Sequence, residues 1–249
     1  MTTHDLSQDL DRPLTRHPVR SDLPDPAGTG HAPGASRPST RWAWAGLAAG
    51  VASLGALVSA FMVDAVYDPD LDGDPEAIAD KLGDQVPQIV AFHVLGTLAA
   101  VLLVVFAAGL HRRLRATAPA DSVAPLVAFA GLLGTAVVMV LGTGLDTELV
   151  FAVGHDEFVT PDNQAFYNTW VGTIWWCWVL AGLSAIAVFV VSRTGGVPRW
   201  LGICGLVGGS LTLLLGIAPQ QYIAGMIGPI AVVVASLGFL VGDRAYRGR

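Results

Sequence analysis

Residues 89–110 read IVAFHVLGTLAAVLLVVFAAGL, twenty-two positions without a formal charge, and the chain then turns abruptly basic as HRRLRA. An α-helix rises about 1.5 Å per residue, so about 20 apolar residues cross a hydrocarbon layer of about 30 Å. The stretch is therefore a membrane span whose basic end stays in water. Five further runs have the same character: 43–63, 123–145, 169–191, 200–217 and 222–242. The six runs hold 128 of the 249 residues and contain no Asp, Glu, Lys or Arg. The reading is an all-α polytopic membrane helix bundle. A hydrophobic share of 53% with 14% charged residues is too apolar for an ordinary soluble domain.

The charged residues fix the threading. On a six-span path all thirteen Arg fall on one side, and Lys81 alone of the cationic residues falls on the other. Lys and Arg mark cytoplasmic loops, so both termini are expected in the cytoplasm of a bacterial plasma membrane. The outer side carries a formal charge of −12 and the inner side +6, which returns the overall −6. Partners follow from this layout. The bilayer is one, and nucleic acid is not expected, because the basic residues sit where membrane anchoring explains them.

Residues 1–41 are rich in Pro, Ser, Thr, Asp and Arg and lack an apolar period, which predicts a disordered cytoplasmic tail ahead of a 42–249 membrane domain. Trp42 and Trp44, next to Arg41, mark the inner interface. Cys177 and Cys204 lie at depths too different for a disulfide and are read as small apolar packers. Gly46-x-x-x-Gly50 and Gly205-x-x-x-Gly209 place small residues on one helical face. Such faces pack helix on helix, within one chain or along a homodimer seam.

The first outer loop, DAVYDPDLDGDPEAIADKLGDQVPQ over 64–88, supports two readings. Asp68, Asp70, Asp72 and Gly73 form D-x-D-x-D-G, the opening half of a calcium loop, in which alternate carboxylates converge on a hard cation. Ala79 stands where the closing bidentate Glu belongs. Capping gives the other reading: Asp74 as N-cap, Pro75 at the first helical position, then Ile78, Leu82 and Val86 at four-residue spacing. That pattern is a short amphipathic helix resting on the outer membrane surface.

Polar side chains inside the spans are few, and several lie in the outer third. His93 enters span two about 6 Å below its outer edge, with Thr97 one turn deeper on the same face. Trp170, Trp175, Trp176 and Trp178 of span four lie at overlapping depths, and Gly228-Pro229 interrupts span six, where proline removes a backbone donor. The candidate ligand pocket is His93, Thr97, Trp175 and Trp176, with His93 as its ionisable group. The competing account makes these residues packing and interface elements. Asp146, Glu148, His155, Asp156 and Glu157 are read as a solvated acidic face on the second outer loop.

No phosphate-binding loop, zinc-protease motif, nucleophile elbow or Cys/His cluster is present, so the chain is read as non-enzymatic and without a cofactor, a divalent cation on the first outer loop excepted. Two functions stay open. One is a membrane component acting through its acidic outer loops or its tail. The other is a small carrier or sensor whose outward pocket contains His93.

Three stretches carry a resemblance. They are DPEAIADKLGD leading into span two, AGLHRRLRA at 108–116, and SRTGGVPRWLGICGLVGG at 192–209 with its Pro-Arg-Trp-Leu-Gly opening of span five. From residue 42 onward the chain resembles a large family of uncharacterised bacterial six-helix membrane proteins, grouped as a domain of unknown function. The resemblance implies the fold and the location and brings no activity.

Overall fold

The computed structural model describes residues 39–152 and 159–243, without the side chains of 171–173. Helix α1 covers Arg41–Phe61, α2 Pro75–Asp84, α3 Val86–Arg115, α4 Ala124–Ala152, α5 Pro161–Thr173, α6 Val179–Ser192, α7 Arg199–Ile217 and α8 Gln221–Leu237. Six segments are long and apolar enough to cross a membrane: α1, α3, α4, α5 joined to α6, α7, and α8 with the turn after it. No strand occurs among the described residues. This is the expected all-α bundle.

Neighbours in sequence are neighbours in space. Helix α1 packs on α3, α3 on α4, α4 on α6, α6 on α7 and α7 on α8, and α8 returns to α1 to close the ring. Small residues permit these approaches. A Cβ on Gly50 would meet the Pro229 carbonyl oxygen at 3.1 Å, and one on Gly46 would run into Phe106 and Ser236. On the far side, a Cβ on Gly205 would lie 2.5 Å from the Ala185 carbonyl oxygen, and one on Gly209 2.6 Å from that of Gly182. Both glycine pairs therefore serve helix contacts within this chain. Aromatic rings fill the Arg-rich end, where Trp42 lies 5.6 Å from Phe106 and 5.1 Å from Phe239, between ring centroids.

Three expectations change. Span three does not stop at residue 145, because α4 continues for two further turns to Ala152. Span four starts earlier, at Pro161, and a 3-10 turn over Ile174–Trp178 breaks it. The predicted surface helix α2 has its Asp74 cap, with the Ala77 N–H donating to Asp74 Oδ1 at 3.0 Å. Its apolar face, however, lies on protein rather than lipid. Leu82 is fully buried, and with Ile78 it joins Val63, Ala65, Ile89 and Leu149 in a second apolar cluster. Cys177 is buried as expected, whereas Cys204 is exposed on the bundle surface. The predicted tail lies outside the described residues up to residue 38.

At the Arg-rich end, Arg113 is the least expected element. It is buried, and its Nε and Nη2 donate to the Asp243 carboxylate at 2.6 and 2.8 Å. Nη2 also donates to the Gly196 carbonyl at 2.7 Å. One guanidinium thus joins the end of α3, the α6–α7 turn and the segment after α8.

Two predictions follow from this packing. Leu in place of Gly205 or Gly209 has no room beside α6 and should cost about 1–3 kcal/mol; a wild-type melting temperature in detergent would contradict the close approach. Arg113→Ala or Asp243→Ala alone strands a buried charge and should cost about 3–5 kcal/mol. The double variant should lose less than the sum of the singles. Simple additivity would mean the two groups do not interact.

Candidate functional site

The end of the bundle away from the Arg-rich end holds a polar cluster where α3, α4 and α5 meet. Its construction begins with Gly96. A Cβ there would lie 2.7 Å from Thr143 Cγ2, so the missing side chain lets α4 close on α3. That approach brings the Thr143 carbonyl oxygen to 2.7 Å from His93 Nδ1. A carbonyl only accepts, so Nδ1 carries the hydrogen and Nε2 is left with the lone pair. Thr97 Oγ1 donates to Thr143 Oγ1 at 3.2 Å, and Thr143 Oγ1 in turn donates to the Met139 carbonyl at 3.0 Å.

Asp146 lies one turn along α4 from Thr143. Because α4 runs on past residue 145, this carboxylate is not on a solvated loop. It is 0% exposed, which corrects its assignment to the acidic face. Tyr167 on α5 donates its hydroxyl to Asp146 Oδ1 at 3.0 Å. Asp146 Oδ2 has no hydrogen-bond partner and lies 4.0 Å from His93 Nδ1. One acidic and one basic group from separate spans therefore face each other, the carboxylate buried and the imidazole part-exposed. If Nε2 takes a proton, the resulting imidazolium stands beside the open carboxylate oxygen. Glu148, two residues on, is exposed. His155, Asp156 and Glu157 lie outside the described residues.

A cap built from the 64–85 segment and Asn168 flanks Tyr167. The neighbouring Asn168 donates from Nδ2 to the Val63 carbonyl at 3.2 Å and accepts from the Val66 N–H at 2.9 Å. Gln85 Nε2 donates to Asp64 Oδ1 at 2.6 Å, and Lys81 Nζ reaches Asp64 and Asp68 at 3.0 and 2.8 Å. The Gln85 amide and then Lys81 hold the Asp64 carboxyl below its ordinary value. Lys81 and the Asp70 N–H lower Asp68 likewise, and the two carboxylates raise Lys81.

The sequence-predicted pocket divides in two. His93 and Thr97 belong to the polar cluster. Trp175 instead walls a separate cavity of about 300 Å³ with Ala60, Phe61, Val63, Tyr67 and Tyr222. Towards the His93 region it makes an edge contact with Phe92, 5.7 Å between centroids. Trp176 turns outward and is exposed. The predicted cation loop does not converge either. Asp68 caps the 3-10 turn Pro69–Leu71 and pairs with Lys81, while Asp70 and Asp72 point to solvent. Among the described residues, no three His, Cys, Asp or Glu side chains are placed to hold a metal ion. Gly73 does make the sharp turn, at φ 78°.

Sequence reasoning missed Asp146 and Tyr167. A signal was present. Gly142, Asp146 and Leu149 follow helical spacing, and all three are buried. The periodicity runs straight through the charge.

The Lys81 ion pairs give a pH prediction. Asp64 and Asp68 are depressed, so their contribution is present above the ordinary value of 3.8 and is lost as pH falls through their lowered values. Lys81 is raised, so its contribution is present below 10.5 and is lost only at still higher pH. The gap in melting temperature between wild type and Lys81→Met should therefore be flat from about pH 5 to 9 and close in stronger acid. A gap that closed near neutrality would contradict the pairing.

No curated protein and no solved structure matched the chain. A family described as Domain of unknown function (DUF4386) matches residues 46–242, from the second turn of span one to the end of span six. With that much of its length matched, the chain belongs to this uncharacterised family.

Proposed function

We propose that this membrane protein is a small carrier or sensor that works through the His93–Asp146–Tyr167 cluster near its outer face. The observation that carries the reading is Asp146. A carboxylate with 0% exposure in a membrane-spanning helix, with one oxygen lacking a hydrogen-bond donor, is costly to keep. Such a group earns its place by taking a proton, a cation or a donor from a ligand. His93, 35% exposed, leaves the cluster part-open at the bundle surface. Occupancy of the carboxylate or of His93 Nε2 would change the attraction between α3 and α4. Tyr167 would pass that change to the outer cap through its neighbour Asn168.

The same reading places the protein in a bacterial cytoplasmic membrane with both ends inside. The support is the run of Arg on one side of every span. The role is non-enzymatic, since the cluster is arranged to hold a proton or ligand rather than to activate a nucleophile against a bound substrate. A second reading, action through the acidic outer surface, is favoured by the exposed Asp70, Asp72, Asp74, Glu76, Asp80 and Asp84. That surface would suit a basic protein partner.

The experiment is a thermal-shift screen of purified protein against protons, monovalent cations and small polar metabolites. It compares wild type with His93→Ala and Asp146→Asn. Shifts present in wild type and lost in both variants are expected. Shifts unchanged in both variants would overturn the cluster's role, and silence across the panel would favour the acidic surface instead.

A further inference from the structure

Helices α6, α7 and α8 leave an open apolar groove of about 370 Å³ on the outside of the bundle. Its wall includes Ala185 from α6, Ile203, Val207 and Gly208 from α7, and Ile230 and Val234 from α8. Helix α7 has little cover on this side, with only Leu201, Gly202, Gly209 and Thr212 buried. Exposed Ile203 and Val207 are 57% and 55% accessible, so this wall faces the surrounding medium.

Helical spacing places charge at one end of the groove. On α7, Arg199, Ile203 and Val207 recur every four residues, so Arg199 leaves the helix on the groove face, one turn beyond Ile203. On α6, Ala185, Phe189 and Arg193 recur in the same way. Arg193 lies over the Phe189 ring, 5.8 Å from its centroid. The two helix ends stand at one level, because a Cβ on Gly202 would collide with Ser192. Neither guanidinium forms an ion pair with a described residue. Trp200 completes this end. A Cβ on Gly238 would lie 3.0 Å from its ring, so the indole covers the close of α8 at interface depth.

We propose that the groove binds an anionic phospholipid, with an acyl chain against α7 and α8 and the headgroup phosphate between Arg193 and Arg199. Charge complementarity selects this occupant. Basic residues at the ends of membrane helices hold anionic headgroups, and guanidinium forks match phosphate oxygens. A second copy in the same orientation would bring a like-charged Arg pair to the same level, which opposes association there. The site is at the opposite end of the bundle from His93 and Asp146 and does not depend on their role.

Native mass spectrometry of the full-length protein, titrated with phosphatidylglycerol or phosphatidylcholine, tests this. Phosphatidylglycerol should be retained about tenfold better, and millimolar inorganic phosphate should not displace it. Arg193→Gln with Arg199→Gln should remove the preference between the two lipids. Gly208→Leu should weaken both lipids by filling the groove, since a Cβ at Gly208 meets only Ala231 Cβ at an ordinary 3.7 Å. Equal retention of the two lipids, indifference to both variants, or displacement by free phosphate would overturn the proposal. So would a dimer that Gly208→Leu dissociates, because the occupant would then be a second copy.

Discussion

Hydrocarbon offers no hydrogen bonds, and that constraint shapes this molecule at every scale. Backbone N–H and C=O groups must be satisfied within each spanning segment, so the spans are helices. Several of their polar side chains obey the same rule, although Ser53, Trp175, Trp178 and Ser236 each keep a buried polar atom without a hydrogen-bond partner among the described residues. Thr135 donates to the Gly131 carbonyl of its own helix at 3.0 Å and reaches the Cys177 carbonyl at 3.1 Å, where the 3-10 turn departs from α-geometry. Ser184 on α6 donates to the Ala128 carbonyl on α4 at 2.8 Å. These hydroxyls join helices where burial of apolar area cannot, because lipid is as apolar as the side chains. Glycine supplies the rest by letting backbones approach. Among the buried side-chain atoms left without a partner in the described residues, Asp146 Oδ2 is the carboxylate oxygen.

The two ends of the bundle handle charge differently. At the Arg-rich end, Arg113 and Asp243 are both buried and satisfy each other through two short contacts, with a third to a carbonyl. Such a pair fixes three chain segments in one arrangement, and either partner alone would be a liability. At the other end, His93 and Asp146 approach to 4.0 Å without closing a hydrogen bond. Asp146 accepts from Tyr167 on one oxygen only. One end is locked, while the other retains capacity for a further proton or ligand. The cap that Lys81 and Asn168 pin is joined to that second arrangement through Tyr167, the neighbour of Asn168.

The spans were legible in the sequence because hydropathy and charge report the solvent of each segment, and lipid imposes a sharp threshold. The capping of α2 by Asp74 was legible for the same local reason. Tertiary features were not. Whether Ile78 and Leu82 face lipid or protein depends on α5, which the apolar period of α2 does not record. Asp146 was assigned to water because charge ended the reading of span three, although the buried face of α4 continues through it to Ala152. The separation of Trp175 from His93 arose from the 3-10 turn at Ile174–Trp178, where a helical count of depth no longer gives direction. Arg113 entered the sequence reading as one more threading charge, whereas its burial required Asp243, 130 residues away, to be brought beside it.

Thiol accessibility at the end of α4 tests the central claim most directly. In a Cys204→Ser background, Glu148→Cys and Asp146→Cys would each be exposed to a membrane-impermeant maleimide on intact cells. The account predicts rapid labelling at position 148 and none at 146 until the protein is unfolded. Equal labelling at both positions would put Asp146 in water and remove the buried carboxylate on which the functional reading stands.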